Sequence, residues 1–503
     1  MSTCQNASSV VGVLSPSGEL DVIPSPRRVD FGGTPLVLTP EVGCALHDLT
    51  GSERLAPAVS DLAESLQRIA RIVDASASDG QNRPQITIRL QPDPNAKPDD
   101  ESYQLQVSSH GATIVAPREA GCFYGIQTLR QMLRLASPEA SHAAVTLPGV
   151  TIHDAPRYAW RGMMVDSARN YQPLSFLKQL IDKLSHYKFN VMHWHLVDDQ
   201  AWRLEVKSHP RLTAEASRVS MGDESRGGCY TQQEIRELVR YAWHRFIRIV
   251  PEIEMPGHCM SALTVYPHLS CTGGPFTLPG VQCICPDIYC AGNDEVFAFI
   301  EDVLNEVIDL FPDPFIHIGG DEAPKDRWAA CPRCRQRMRQ EGLADEGQLQ
   351  AWFIARMHRY LKSRGRRIIA WDDLGDKDLP SDVVFQWWRN RTPDAWRWPS
   401  RWASRGHATI FSPTSHCYLD YSEDLISLPQ ALTLSLAADH DLISPERADA
   451  LFLGGECNVW TEKIPWERFL SRAFPRAYAI IEALWRADDR PNAERFIQRV
   501  SRH

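Results

Sequence analysis

No stretch of this 503-residue sequence stays apolar for the ~18 residues that a membrane-spanning helix needs. The first twenty residues, MSTCQNASSVVGVLSPSGEL, lack the basic start and the apolar stretch of an export signal. That predicts a cytoplasmic protein, or a periplasmic or secreted one if a longer precursor precedes this start. Basic excess is missing too: the formal net charge is −9, so the sequence offers no electrostatic footprint for nucleic acid or anionic lipid. Internal repeats and low-complexity tracts are absent, and so are Gly-rich phosphate loops. The pair Gly319-Gly320 runs instead into two acids, which would repel a phosphate.

Cysteine is not scarce, but its arrangement is irregular. The total of 13 is odd, so at least one is unpaired within the chain, which favours a reducing compartment. Cys331-Pro-Arg-Cys334 and the group Cys271, Cys283, Cys285 and Cys290 allow either zinc half-sites or local disulfides. A zinc ribbon needs two compact pairs at matched spacing, and the second group is not one. Spacing therefore favours plain loop cysteines, and neither metal nor cofactor is expected.

With 43% apolar and 23% charged residues, the chain can bury a large core, and its length predicts two domains, one of them large. From about Ile23 to Leu135 short apolar runs (PLVLTP, QITIRL, YQLQVSS, ATIVAP) precede a helix-like segment, GCFYGIQTLRQML. This predicts a small α+β domain over residues 1–155, with PDPNAKPDDES as a polar loop and SPEASHAAVTLPGVTIHDAP as the bridge out of it. Residues 156–503 alternate strand and helix patterns. Eight strands are expected, at RGMMVDS, NVMHWHL, RIVPEIEM, FIHIGGD, RIIAWDD, VVFQWW, ATIFSP and LFLGGEC, with helices such as Leu174 to Tyr187, TQQEIRELVRYAWHR and NDEVFAFIEDVLNEVIDL between several of them. The expected fold is α/β, a (β/α)8 TIM barrel with a smaller N-terminal α+β domain.

In such a barrel the chemistry gathers at the C-terminal strand ends. Those ends carry Asp166 and Arg169, then His195, Asp198 and Asp199, then Glu254 and Pro256-Gly257-His258, then His317-Ile-Gly-Gly-Asp321-Glu322. The remaining four lead to Trp371-Asp372-Asp373, Trp387-Trp388, Tyr418-Leu-Asp420 and Trp460-Thr-Glu462. Tryptophan faces stack on the C–H surface of a pyranose, and carboxylates with an arginine take its hydroxyls, so this set predicts a sugar site. Adjacent Asp321 and Glu322 point different ways and can serve two parts of one substrate, as glycosidic hydrolysis requires. Single residues have plainer readings: a lone tryptophan is usually core, His193 and His195 are expected to be structural, and Arg169 alone could be an ordinary ion pair. Two other functions use the same residues. A metal-dependent barrel hydrolase would use His193, His195, His258, His317 and an Asp as ligands, although its His-x-His is expected at the first strand rather than the second. A catalytically silent sugar-binding protein would have no need of Asp321, Glu322 and Tyr418 together.

The motifs HIGGDE ending at Glu322, HWHLVDDQ from His193, VDSAR ending at Arg169, PGH at His258, YLD at Tyr418 and WTE at Trp460 resemble those of glycoside hydrolase family 20, the β-N-acetylhexosaminidases. The resemblance runs nearly end to end through the barrel, and the segments Ile23-Pro-Ser-Pro and AGCFYGIQTL resemble the family's accessory domain. It implies an exo-acting, retaining hydrolase of terminal β-linked N-acetylglucosamine or N-acetylgalactosamine, whose partner is a carbohydrate. The substrate's own acetamide would be the nucleophile. By the same resemblance Glu322 is the general acid, Asp321 orients the acetamide, and Tyr418 donates to its oxygen. Trp371, Trp388 and Trp460 wall the acetamide pocket; Trp388 rather than Trp387 follows from its spacing and the preceding Gln386. Arg169, Asp420 and Glu462 hold ring hydroxyls, and Asp198 and His258 tune the acid. The insertion from Cys271 to Cys290 bears on aglycone preference.

Overall fold

The structure is a computed structural model that describes residues 13–15, 18–73, 83–137, 144–218, 227–486 and 492–503. Most of the N-terminal segment read for an export signal therefore lies outside the described residues, as do residues 138–143 of the expected bridge.

The N-terminal domain is built on strands β1 (Arg28–Phe31), β2 (Leu36–Leu38), β3 (Ala45–Asp48), β4 (Gln85–Leu90), β5 (Tyr103–Ser108), β6 (Gly111–Ala116), β7 (Val145–Leu147) and β8 (Val150–Asp154). Six of them form a mixed sheet in the order β1-β8-β5-β6-β4-β3, and β2 pairs with β7. The expected bridge is thus corrected. Its sequence VTLPGVTIHD alternates buried and less buried positions, and its two strands complete the small domain before the chain leaves it. Two helices, Ala56–Gln67 and Glu119–Ala136, cover the sheet; the second buries Phe123, Ile126, Leu129 and Met132 at helical spacing. We place the division of the two domains between residues 155 and 156, in the link that follows β8.

The second unit is a closed barrel of eight parallel strands: β9 (Trp160–Asp166), β10 (Val191–His195), β11 (Arg248–Glu252), β12 (Phe315–His317), β13 (Arg367–Trp371), β14 (Val384–Trp387), β15 (Thr409–Phe411) and β16 (Phe452–Val459). Each strand read from the sequence lies in this barrel. Inward positions alternate along the strands and stack in layers. The bottom layer is apolar, with Trp160, Val191, Val250, Phe315, Ile369, Val384 and Ile410. Two residues further along, the same face carries His193, Glu252, His317, Trp371, Gln386 and Glu456, all buried. Hydrogen bonds link this polar layer: Trp160 Nε1 and Gln386 Nε2 donate to Glu456, and Trp371 Nε1 donates to Glu252.

The N-terminal domain docks at the strand starts, the end remote from that polar layer's upper face. Phe246 and Trp485 of the barrel enter the small domain's core. Between the domains the fully buried Arg161 pairs with Glu101 at 2.7 Å, donates to the Tyr124 hydroxyl at 2.9 Å and to the Lys188 carbonyl at 3.0 Å. Lys188 in turn pairs with Asp154 at 3.1 Å. No helix among the described residues is long and apolar enough to cross a membrane.

Candidate active site

Above the polar layer a cavity of about 570 Å³ opens at the C-terminal strand ends. That volume suits a small ligand. Arg169, Asp198, His258, Asp321, Glu322, Trp371, Trp388, Tyr418, Asp420, Trp460 and Glu462 all line it, so the fold brings together every site residue named from the sequence.

At its closed end Arg169 is fixed from three sides. Its Nη2 pairs with Asp198 at 2.7 Å, its Nε donates to Gln200 at 2.9 Å, and Asp166 accepts from its backbone N–H at 3.0 Å. Its guanidinium lies 5.1 Å over the Trp460 ring. Burial opposes this charge, but Asp198, Asp166 and Glu462 outweigh it and hold Arg169 protonated. Asp198 also suffers burial, yet Arg169, His258 and His195 hold its carboxyl well below the usual range. Asp420 experiences the opposite balance. Burial, then the nearby Glu462, pushes it up to about 7.

Strained backbone marks Glu322, after β12, and His258, after β11. Glu322 has φ 43° and His258 φ 46°, left-handed values that non-glycine residues seldom adopt. The Asp373 carboxylate accepts from the Glu322 backbone N–H at 3.3 Å and from Trp388 Nε1 at 2.9 Å, so one acid ties the ends of three strands. His258 Nε2 stands 3.7 Å from Asp321 and 3.6 Å from Glu322, and its Nδ1 faces Asp198 and Asp199, each at 3.3 Å. Burial opposes its protonation, but Asp198 and Asp321 raise it well above the ordinary histidine value. Burial pushes Asp321 up to about 7, with His258 acting against and Asp373, Glu252 and Glu322 adding to the rise. The Asp321 side chain is 13% exposed and that of Glu322 36%, so the second faces the mouth and the first lies beneath it.

Aromatic rings enclose the space beside this pair. Trp371 lies 6.0 Å from Trp460, Tyr418 lies 6.3 Å from Trp460, and Trp388 stacks with Tyr418 at 6.4 Å. Trp387 does not reach the cavity; it packs on Phe411 and donates to the Arg389 carbonyl. Burial, together with Asp420 and Asp321, keeps the Tyr418 hydroxyl protonated and able to donate.

His193, His195 and His317 lie lower, gathered on Glu252. His193 Nε2 is 3.0 Å and His317 Nδ1 2.9 Å from it, while His195 bonds to Glu252 and, at 2.9 Å, to Asp198. They brace the floor beneath Trp371, apart from His258 at the catalytic pair. Sequence reasoning passed over Glu252 and Glu456, and gave Asp373, which it placed at a strand end, no role of its own. A charged residue at an inward position of an otherwise apolar barrel strand, as in RIVPEIE, was the available signal for the first two. Gln282, Cys283 and Ile284 of the Cys271–Cys290 insertion also line the cavity, which puts that insertion at its rim.

The chain is similar to known proteins in sequence and in overall fold. Residues 158–488 match glycosyl hydrolase family 20, catalytic domain, and residues 19–155 match glycosyl hydrolase family 20, domain 2. A beta-hexosaminidase of Porphyromonas gingivalis is 40% identical over 77% of this chain; the match spans about half of that relative, 51% of its length. A beta-hexosaminidase of Akkermansia muciniphila is 34% identical over 80% of this chain and 83% of its own. Among solved structures, a β-N-acetylhexosaminidase from Bacteroides fragilis superposes with a TM-score of 0.78 at 31% identity, covering 95% and 94% of the two chains. A mutant Streptomyces plicatus β-hexosaminidase in complex with its product, N-acetylglucosamine, gives 0.81 at 28% identity, covering 96% and 93%. Two matched domains in one order, over a barrel whose rim carries the HIGGDE acids, establish that the chain belongs to glycosyl hydrolase family 20.

Proposed function

We propose that this protein is an exo-acting β-N-acetylhexosaminidase that releases terminal β-linked N-acetylglucosamine or N-acetylgalactosamine with retention, using the substrate's acetamide as nucleophile. The observation that carries this reading is the placing of Asp321 and Glu322 side by side, one sunk beneath a ring of Trp371, Trp388, Tyr418 and Trp460, the other at the mouth.

Glu322, at the mouth, protonates the glycosidic oxygen as its bond to the anomeric carbon breaks. The acetamide oxygen, bent back inside the aromatic box and held by the Tyr418 hydroxyl, forms the new bond to that carbon. Asp321 accepts from the acetamide N–H. Positive charge then develops on the oxazolinium ring beside it, which favours the ionised carboxylate that burial disfavours in the free protein. Glu322, now a carboxylate, takes a proton from water, which attacks the same face and gives retention. Fixing the internal nucleophile can supply on the order of 7–11 kcal/mol at the ideal limit. Arg169, Asp420 and Glu462 close the cavity around the ring hydroxyls, and a closed end admits only a terminal sugar.

The test is 4-nitrophenol release from the β-N-acetylglucosaminide and from the β-glucoside. Turnover of the first alone, collapsing in Glu322→Gln and Asp321→Asn, is expected. Equal cleavage of the plain glucoside, or none of either, would sink the reading.

A further inference from the structure

Four thiols converge behind the loop that forms the cavity rim. Cys334 Sγ lies 3.7 Å from Cys271 Sγ and 3.6 Å from Cys290 Sγ, and Cys290 Sγ lies 3.9 Å from Cys331 Sγ. All four sulfur atoms fall within 4.8 Å of one another. A metal ion bound to four thiolates at ~2.3 Å in a tetrahedron would place the sulfurs about 3.8 Å apart. Disulfide partners are exclusive pairs, with sulfurs about 2.05 Å apart. Here Cys290 is shared between Cys331 and Cys334, and Cys334 between Cys271 and Cys290, which is the pattern of one common centre.

The surroundings fit the same centre. Cys290, Cys331 and Cys334 are buried, and Cys271 is half-buried. Gly292 lies tight on the Cys331–Cys334 turn: a Cβ there would come within 2.2 Å of the Arg333 backbone. Arg333 Nη2 donates to the Ser270 carbonyl at 2.9 Å, joining the turn to the start of the insertion. Spacing alone did not favour a metal because the second half-site is not a compact pair. It is the two ends of one insertion, brought together by the Ser270–Tyr289 bridge.

We propose that Cys271, Cys290, Cys331 and Cys334 form a structural zinc site. Binding displaces the thiol protons and leaves a tetrathiolate centre partly offset by Arg333. Its role follows from what it joins. The segment from Cys271 to Cys290 has little regular structure, yet it carries Gln282 and Ile284 to the cavity, with Ile284 54% exposed. Cys331 and Cys334 stand at the start of the helix Pro332–Glu341, downstream of the Asp321–Glu322 pair. A metal cross-link there holds the rim to the catalytic loop where an irregular segment lacks the core to hold itself.

The full chain, produced in reducing cytosol and purified without added metal or chelator, is assayed for metal by mass spectrometry. One zinc per chain is expected, released stoichiometrically as a mercurial titrates four thiols. Replacing zinc with cobalt(II) is expected to give the intense visible bands of a tetrahedral thiolate site. Because Cys331→Ser/Cys334→Ser could fail to fold, the mercurial and cobalt measurements on the native chain decide the matter. Zinc absent with these four thiols free or joined as two disulfides, or cobalt bound without thiolate bands, would overturn the site. Equimolar iron would overturn its assignment to zinc.

Discussion

His258 Nε2 stands 3.7 Å from a carboxylate oxygen of Asp321. Protonated by Asp198 and Asp321 despite its burial, His258 lowers the Asp321 pKa, which burial has pushed up to about 7. If the ionised Asp321 is needed for turnover, kcat/KM falls as pH drops through about 7. Removing the His258 charge leaves burial, Asp373, Glu252 and Glu322 unopposed, and all of them raise Asp321. The acid limb in His258→Asn is therefore expected at higher pH than in the native protein, with kcat reduced about 100-fold. A pH profile of kcat/KM checks this, and a limb that stays put or moves to lower pH refutes the coupling.

Gly319, in the strand-end turn, has φ 63° and lies against Glu254; a Cβ there would come within 1.7 Å of the Glu254 carboxylate. The substitution Gly319→Ala is expected to displace that carboxyl or the turn bearing Asp321 and Glu322, with activity lost and a lowered Tm. Glu254 itself is buried with neither oxygen hydrogen-bonded among the described residues, and burial, then Asp321 and Glu252, raises its pKa well above the carboxylate range. It is held neutral. Glu254→Gln should then leave both the Tm and the acid limb nearly unchanged. A limb that shifts to lower pH in this variant would show that Glu254 carries charge beside Asp321.

Trp388 and Trp387 are adjacent in sequence but point to opposite sides of β14. Trp388→Phe removes the indole N–H that donates to Asp373 at 2.9 Å and a wall of the cavity, so kcat/KM is expected to fall about 10-fold or more. Trp387→Phe alters packing on Phe411 and should leave kcat/KM within about twofold, with a modest loss of Tm. Steady-state kinetics on both variants separate them. Equal losses would mean that the box is assigned to the wrong ring.

Much of this was legible because barrel strands announce themselves as short apolar runs ending in functional residues. RGMMVDS, NVMHWHL and FIHIGGD each place a buried run before an acid, an arginine or a histidine. VTLPGVTIHD was harder: its two strands are three and five residues long and make sense only once β2, β1 and β5 are there to pair with them. The same limit hid Glu252. Its four neighbours, His193, His195, His317 and Trp371, come from three other strands, so no local window contains the reason for a buried acid in RIVPEIE. The cysteine cluster shows it again, with sulfurs 63 residues apart in sequence brought to 3.7 Å.

Arg161 and Glu101 join the domains at the end of the barrel away from the cavity, at 2.7 Å and with the guanidinium fully buried. Removing one partner of such a pair strands the other and typically costs about 3–5 kcal/mol, whereas replacing both with apolar groups can be nearly neutral. Glu101 is not fully enclosed, its side chain being 16% exposed, so water can recover part of its charge and the lower end of that range applies. Arg161 also caps the Lys188 and Tyr158 carbonyls, and these would be left without it. Arg161→Met is therefore expected to lower stability by about 3 kcal/mol in denaturant unfolding, while KM for a nitrophenyl substrate stays unchanged because Arg161 touches nothing in the cavity. The double variant Arg161→Met/Glu101→Leu should recover part of the loss. A single variant as stable as the native chain would mean that the Arg161–Glu101 pair does not hold the small domain to the barrel.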